Sequence, residues 1–290
     1  MNRRKALIAL HLGALLFGLS GIFGKLALAA PLVIVFGRAL FAVLALAPFA
    51  RPGATHERPS HQRLLALAGA GLLLGGHWWS FFIAIKVAGV AVATLGFASF
   101  PAFTVLLEGL LFKEQVRRSE WAVVGLVCIG LILVTPHFDF ASEATLGLGW
   151  AVLSGLLFAL VSVSNRATTR GLNPAQAALW QNIGILLCSL PFAWSLLPEV
   201  RALDWLWIGL LGVLCTALAH SLFVASLRTL NARSASVVFA LEPVYGIVFA
   251  WWLFHEQPGL RMLFGGSLIV LATVISARLS RHSPSVEDLS

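Results

Sequence analysis

The chain has 290 residues, 59% hydrophobic and only 11% charged, with a mean hydropathy of +0.91. Soluble domains carry roughly 45–50% apolar and about 25% charged residues, so this inventory excludes a water-soluble surface and leaves no soluble domain of useful size. The net charge of +8 would raise the question of nucleic acid in a soluble protein, but here the basic residues sit in short loops, as the positive-inside bias of membrane proteins requires.

A spanning helix needs roughly 20 mainly apolar residues to cross about 30 Å of hydrocarbon. Apolar runs between charged or Pro/Gly punctuation predict helices over 6–29, 31–50, 63–86, 88–112 and 119–136. A second set follows over 145–168, 174–197, 202–228, 232–254 and 258–280. The short joints at Ala30 and at 87–89 force their neighbours to run antiparallel. Arg3, Arg4 and Lys5 before an apolar run mimic a cleavable leader, but Lys25 and the glycines Gly18, Gly21 and Gly24 interrupt that run, and it is too long for a leader core. Cys128, Cys188 and Cys215 lie in apolar stretches without metal or redox spacing and are expected to be buried small hydrophobes. With the N-terminus cytoplasmic, fifteen of the 20 basic residues fall on that side, Lys25, Lys86, Arg201 and Arg261 on the other, and Arg38 within a segment. Both termini are therefore expected inside a bacterial inner membrane, with a short cytoplasmic tail at 282–290.

The chain matches itself at a shift of 142 residues, which carries Pro101 onto Pro243, Lys86 onto Arg228 and Lys113-Glu114-Gln115 onto His255-Glu256-Gln257. Five helices per copy is an odd number, so the second copy, 141–281, enters the membrane inverted relative to the first, 1–140. The expected fold is all-α, ten transmembrane helices as two inverted five-helix repeats. Such repeats allow two openings of similar energy about a central site, the device of alternating access. This favours transport over enzymology.

The runs Phe100-Pro101-Ala102-Phe103-Thr104 to Phe112-Lys113-Glu114-Gln115 and Leu241-Glu242-Pro243-Val244-Tyr245 to Phe254-His255-Glu256-Gln257 each precede a Gly-bearing final helix. They resemble the repeat of the EamA family in the drug/metabolite transporter superfamily, and the likeness covers nearly the whole chain. Within it the chain looks most like the YddG-type bacterial exporters of aromatic amino acids. The resemblance implies a ten-helix fold around a central cavity, used to export amino acids and other metabolites.

Polar groups inside a membrane are costly, so each is a functional candidate. Glu242 binds a cationic or amino group, carries a proton, or caps backbone donors near Pro243. Pro101 and Pro243 are expected to kink helices four and nine, freeing the carbonyls of Phe97 and Phe239 toward the interior. They serve as hinges or as packing kinks. His77 and Phe81, with Trp78 and Phe82, are spaced to form an aromatic wall with one polar tip, suited to an amphipathic or aromatic solute. His220 falls on Trp78 under the same shift, and the alternative for both histidines is a hydrogen bond to a neighbouring helix. Arg38, shallow enough to snorkel, holds a substrate carboxylate or, with Lys86, serves charge and gating. Ser99, Trp180, Gln181, Asn182, Ser164, Asn165 and Tyr245 offer neutral surfaces to orient an amino acid. Glu114 and Glu256 are expected to be structural, capping the next helix or pairing with local basic residues.

The leading reading is a secondary exporter of amino acids or related small metabolites. Efflux of drugs or organic cations, with Glu242 as the coupling group, is the rival. An intramembrane enzyme is a distant third, because no nucleophile–base pair or metal-ligand cluster is present. The partners implied are a small-molecule solute and the lipid bilayer, with no nucleic acid, no cofactor and no metal. A monomer is compatible with all of this.

Overall fold

The computed structural model describes residues 2–50, 60–112, 115–134, 142–169, 172–227, 238 and 241–279. Every regular element among them is helical: α1 Arg3–Leu26, α2 Pro31–Leu46, α3 His61–Phe97, α4 Phe100–Phe112, α5 Arg118–Val134, α6 Glu143–Thr168, α7 Pro174–Ala193, α8 Ala202–Gly212, α9 Ala219–Leu227, α10 Glu242–Phe254 and α11 Leu260–Leu279. A 3₁₀ turn, Trp194–Glu199, leads from α7 toward α8, and a π-helical turn, Val213–Leu218, joins α8 to α9. Five stretches among the described residues are long and apolar enough to cross a membrane, Arg3–Leu26, His61–Phe97, Glu143–Asn165, Pro174–Glu199 and Ala202–Phe223. Leu110, Phe192, Trp252 and Phe264 face outward, as hydrocarbon permits and water does not.

α3 is two rods joined at Gly89, whose backbone (φ 83°, ψ 173°) lies where only glycine is comfortable. The rods double back on each other. Phe97, eight residues past Gly89, packs edge-to-face against Phe81, eight residues before it, with ring centroids 5.9 Å apart. α6 runs along both arms, with Gly147 against Ala88, Ser154 against His77 and Gly155 against Phe97 and Ser99. The antiparallel joint expected at 87–89 is therefore present. α2 packs on α7, α5 on α11, and α1 on α9 and α10.

The prolines differ from expectation. Pro101 stands in the first turn of α4 and Pro243 in the first turn of α10, where a missing N–H costs nothing because that donor has no intrahelical partner. They start helices rather than kink them, since the chain leaves α3 at Ala98–Ser99 and Leu241 is the cap residue before α10. Phe239 lies outside the described residues. Cys128 and Cys188 are exposed on the outer faces of their helices and only Cys215 is buried; a small apolar side chain is equally at home against lipid tails.

Candidate functional site

Two ends of the bundle can be told apart by their contacts. At one end α1 finishes beside the start of α8 and the joint between α10 and α11. Lys25 pairs with Glu256 at 2.5 Å and lies over the Phe254 ring. The Lys86 ammonium donates to the Ala27 carbonyl. The Asp204 carboxylate accepts from the Leu28 amide at 2.8 Å and from Arg201 at 2.7 Å. Glu256 also accepts from the amides of Val90 and Ala91, both at 3.1 Å, the first donors after the break at Gly89. At the opposite end Arg63 donates to the Thr168 carbonyl and Asn173 to that of Phe49.

The sequence expectation for Glu256 needs correction. It caps no neighbouring helix; it caps the second arm of α3, 166 residues away. His255 at φ 55° ends α10 in a left-handed turn that lets the following carboxylate reach back into the bundle. Glu114 lies outside the described residues.

Arg38 stands seven residues into α2, about 10 Å from that helix's start, and is 4% exposed. The expectation that it snorkels fails: its Nε donates to Thr216 Oγ1 at 2.8 Å and its guanidinium lies 4.0 Å from the Trp78 ring centroid. Thr216 belongs to the π turn, and its hydroxyl donates to the Leu211 carbonyl five residues back. That registry exists only because the turn is π-helical, a feature frequent at functional sites. Ser20 faces the Cys215 thiol beside it, and its buried hydroxyl has no other hydrogen-bond partner among the described residues. Glu242 shares the stripe of α10 that carries the buried Gly246 and Ala250, opposite the exposed Val244, Val248 and Trp252. No direct ion pair or hydrogen bond joins its side chain to Arg38 among the described residues. Gly18 holds α1 against this point so closely that a Cβ would meet the Glu242 carbonyl oxygen at 3.0 Å.

α3 splits the aromatic wall expected from its sequence into two faces. Trp78 and Phe82 turn to Arg38. His77 and Phe81 turn to α6, where His77 Nδ1 lies 2.8 Å from Ser154 Oγ and its ring packs against Phe97 and Phe158, each with centroids 5.0 Å away. Ser99 donates to the Gly96 carbonyl beside this cluster.

The other candidates sit elsewhere. Gln181 bonds Asn165 at 2.6 Å and packs on Gly71, seven residues or about 10 Å along α3 from Trp78. Asn182 donates to the Ala178 carbonyl, and its own side-chain oxygen is buried without a partner. Trp180 packs against a small apolar cluster of Leu67, Leu172 and Ala177. Tyr245 meets His11 across α1 at 3.2 Å. His220, at the start of α9, is half-buried and has no hydrogen-bond partner among the described residues. Lys86 belongs to the Lys25 end. Sequence reading missed Ser20, Thr216 and Ser154, three hydroxyl residues that nothing but long-range contact distinguishes from the chain's other serines and threonines.

A bundle of lipid-facing helices that buries an arginine against aromatic rings midway along α2 is the build of a multi-pass membrane transporter. The chain belongs to the EamA-like transporter family, whose family model matches it twice, over residues 4–135 and 145–278. An uncharacterized transporter of Archaeoglobus fulgidus is 28% identical over 93% of this chain and 95% of that protein. The S-adenosylmethionine uptake transporter of Rickettsia prowazekii is 24% identical over 87% of this chain and 84% of that protein. A solved crystal structure superposes with a TM-score of 0.65 at 20% identity, covering 98% of this chain and 100% of that one, and supports the fold alone. The family and these relatives are transporters and not enzymes. The seam draws on both matched copies: Ser20, Arg38 and Trp78 come from the first, Thr216 and Glu242 from the second.

Proposed function

We propose that the protein is a secondary transporter that exports amino acids, aromatic ones among them, or related small metabolites across the inner membrane by alternating access. The helices form two inverted five-helix repeats, 1–140 and 141–281, with both termini cytoplasmic and Pro101 and Pro243 as hinges where α4 and α10 begin. The observation that carries this reading is the polar seam between the two matched copies, with Arg38 buried against Trp78 and Thr216 at mid-depth. A charge held there is expensive and marks a pathway. The His77–Phe81–Phe97–Phe158 cluster beside it offers aromatic surface for an apolar side chain.

The test is counterflow in proteoliposomes. Vesicles loaded with unlabelled L-phenylalanine are expected to accumulate labelled L-phenylalanine faster than empty-protein vesicles. Equal uptake, alongside a working control exporter in the same lipid, overturns the proposal.

A second reading, transport of S-adenosylmethionine, draws on the rickettsial relative. That solute also carries an α-amino acid head. If it is the solute, vesicles loaded with unlabelled S-adenosylmethionine accumulate labelled S-adenosylmethionine, and excess phenylalanine leaves that uptake unchanged.

A further inference from the structure

We infer that Arg38 and Glu242 form a two-ended head-group site for a zwitterion, the guanidinium taking a carboxylate and Glu242 the ammonium. This rests on the amino-acid reading above and goes further, because it names the atoms that select an amino acid over a plain cation or a plain anion.

Three independent features converge on it. Arg38 is nine-tenths buried, and its Nε is fixed by Thr216 while Trp78 lies against the guanidinium face. Both terminal nitrogens, the fork that matches a carboxylate, have no acceptor among the described residues. Glu242 lies on the inward stripe of α10 and accepts no hydrogen bond from any described residue. Ser20, on α1 two residues from the Gly18 contact with Glu242 and facing the Cys215 thiol, has a buried hydroxyl with no other hydrogen-bond partner among the described residues. Buried polar groups are nearly always satisfied, and an exception calls for a reason.

An arginine and a glutamate on the inward faces of helices that both pack against α3 are expected to seek a partner of opposite charge. Among the described residues neither has one. What stabilises both at once is a solute with a negative group toward Arg38 and a positive group toward Glu242. A cation alone leaves Arg38 facing like charge, and an anion alone does the same to Glu242. Binding of a zwitterion leaves the net charge of the seam unchanged while each end gains a charge-assisted hydrogen bond.

The experiment measures binding to the purified full-length protein in detergent, by calorimetry and by the rise in melting temperature, with two matched trios. One is L-phenylalanine, phenethylamine and 3-phenylpropanoate; the other is L-methionine, 3-methylthiopropylamine and 4-methylthiobutanoate. In the unaltered protein one zwitterion is expected to bind at least about 100-fold more tightly than its amine or its acid, because a site built for two polar groups rejects analogues lacking one. Arg38→Gln should bring the zwitterion down to the amine's affinity, and Glu242→Gln should bring it down to the acid's. Arg38→Lys, which keeps the charge and loses the fork, should retain part of the preference and guards against a folding defect. An amine that binds as well as its zwitterion overturns the two-ended site while leaving a transporter of cations. Failure of all six compounds to bind overturns the amino-acid reading and this site together.

Discussion

At the Lys25 end Glu256 is shared by Lys25 and the Val90 and Ala91 amides, and Asp204 by Arg201 and the Leu28 amide. At mid-depth Arg38 uses one nitrogen on Thr216, and Glu242 bonds to no described residue. Both regions hold acids and bases that a membrane interior disfavours. The first saturates them and so ties α1, α3, α8 and the α10–α11 joint into one fixed cap. The second leaves donors and an acceptor open to water or to a ligand. On the proposed function, saturated charge belongs to the structural cap and the unsaturated charge at Arg38 and Glu242 to the solute site.

The sharpest way to break that contrast is to exchange solute through altered proteins. Arg38→Gln should lower phenylalanine exchange in proteoliposomes by about 100-fold, while the unliganded melting temperature stays level or rises, because removing an underpaired buried charge relieves desolvation. A large drop in melting temperature would place Arg38 with the structural charges.

Glu256→Ala should show the reverse. It leaves two helix amides and Lys25 without their acceptor, and with Lys25 one-third exposed the loss sits near the low end for buried pairs, about 3 kcal/mol. Chemical denaturation of the detergent-solubilised protein measures it, and an unchanged midpoint would remove the cap from the account.

Gly89→Ala forces a side chain onto a glycine-only backbone and places a Cβ 2.9 Å from Glu256 Oε1, for a loss of about 1–3 kcal/mol in the same assay. Arg201→Ala should move the midpoint less. Arg201 is half-exposed and the buried Asp204 keeps the Leu28 amide, so the loss stays below that of Glu256→Ala.

The sequence made the expensive residues visible. Arg38 and Glu242 stand out in any apolar stretch, and the paired Pro and Glu-Gln runs expose the internal match that the family model meets twice. The joint at 87–89 was legible because Gly89 interrupts the apolar pattern. Three things were not. Which basic residue Glu256 meets depends on helices far apart in the chain. The π turn at Val213–Leu218 has no composition of its own, so Thr216 looked like filler. The aromatic spacing on α3 placed four rings on a wall, but two faces of one helix meet different neighbours, and only packing decides that His77 goes to Ser154 and Trp78 to Arg38.

The account stands on the seam beside Arg38 being wet and occupied by solute. Ser20→Cys, in a chain whose native cysteines are alanine, reports on it directly through its rate of reaction with a hydrophilic maleimide in detergent. The expected result is measurable labelling, slower than at an exposed Ser60→Cys control and slowed at least several-fold by saturating L-phenylalanine. No labelling at Ser20→Cys while Ser60→Cys reacts, or labelling indifferent to every amino acid, would contradict it.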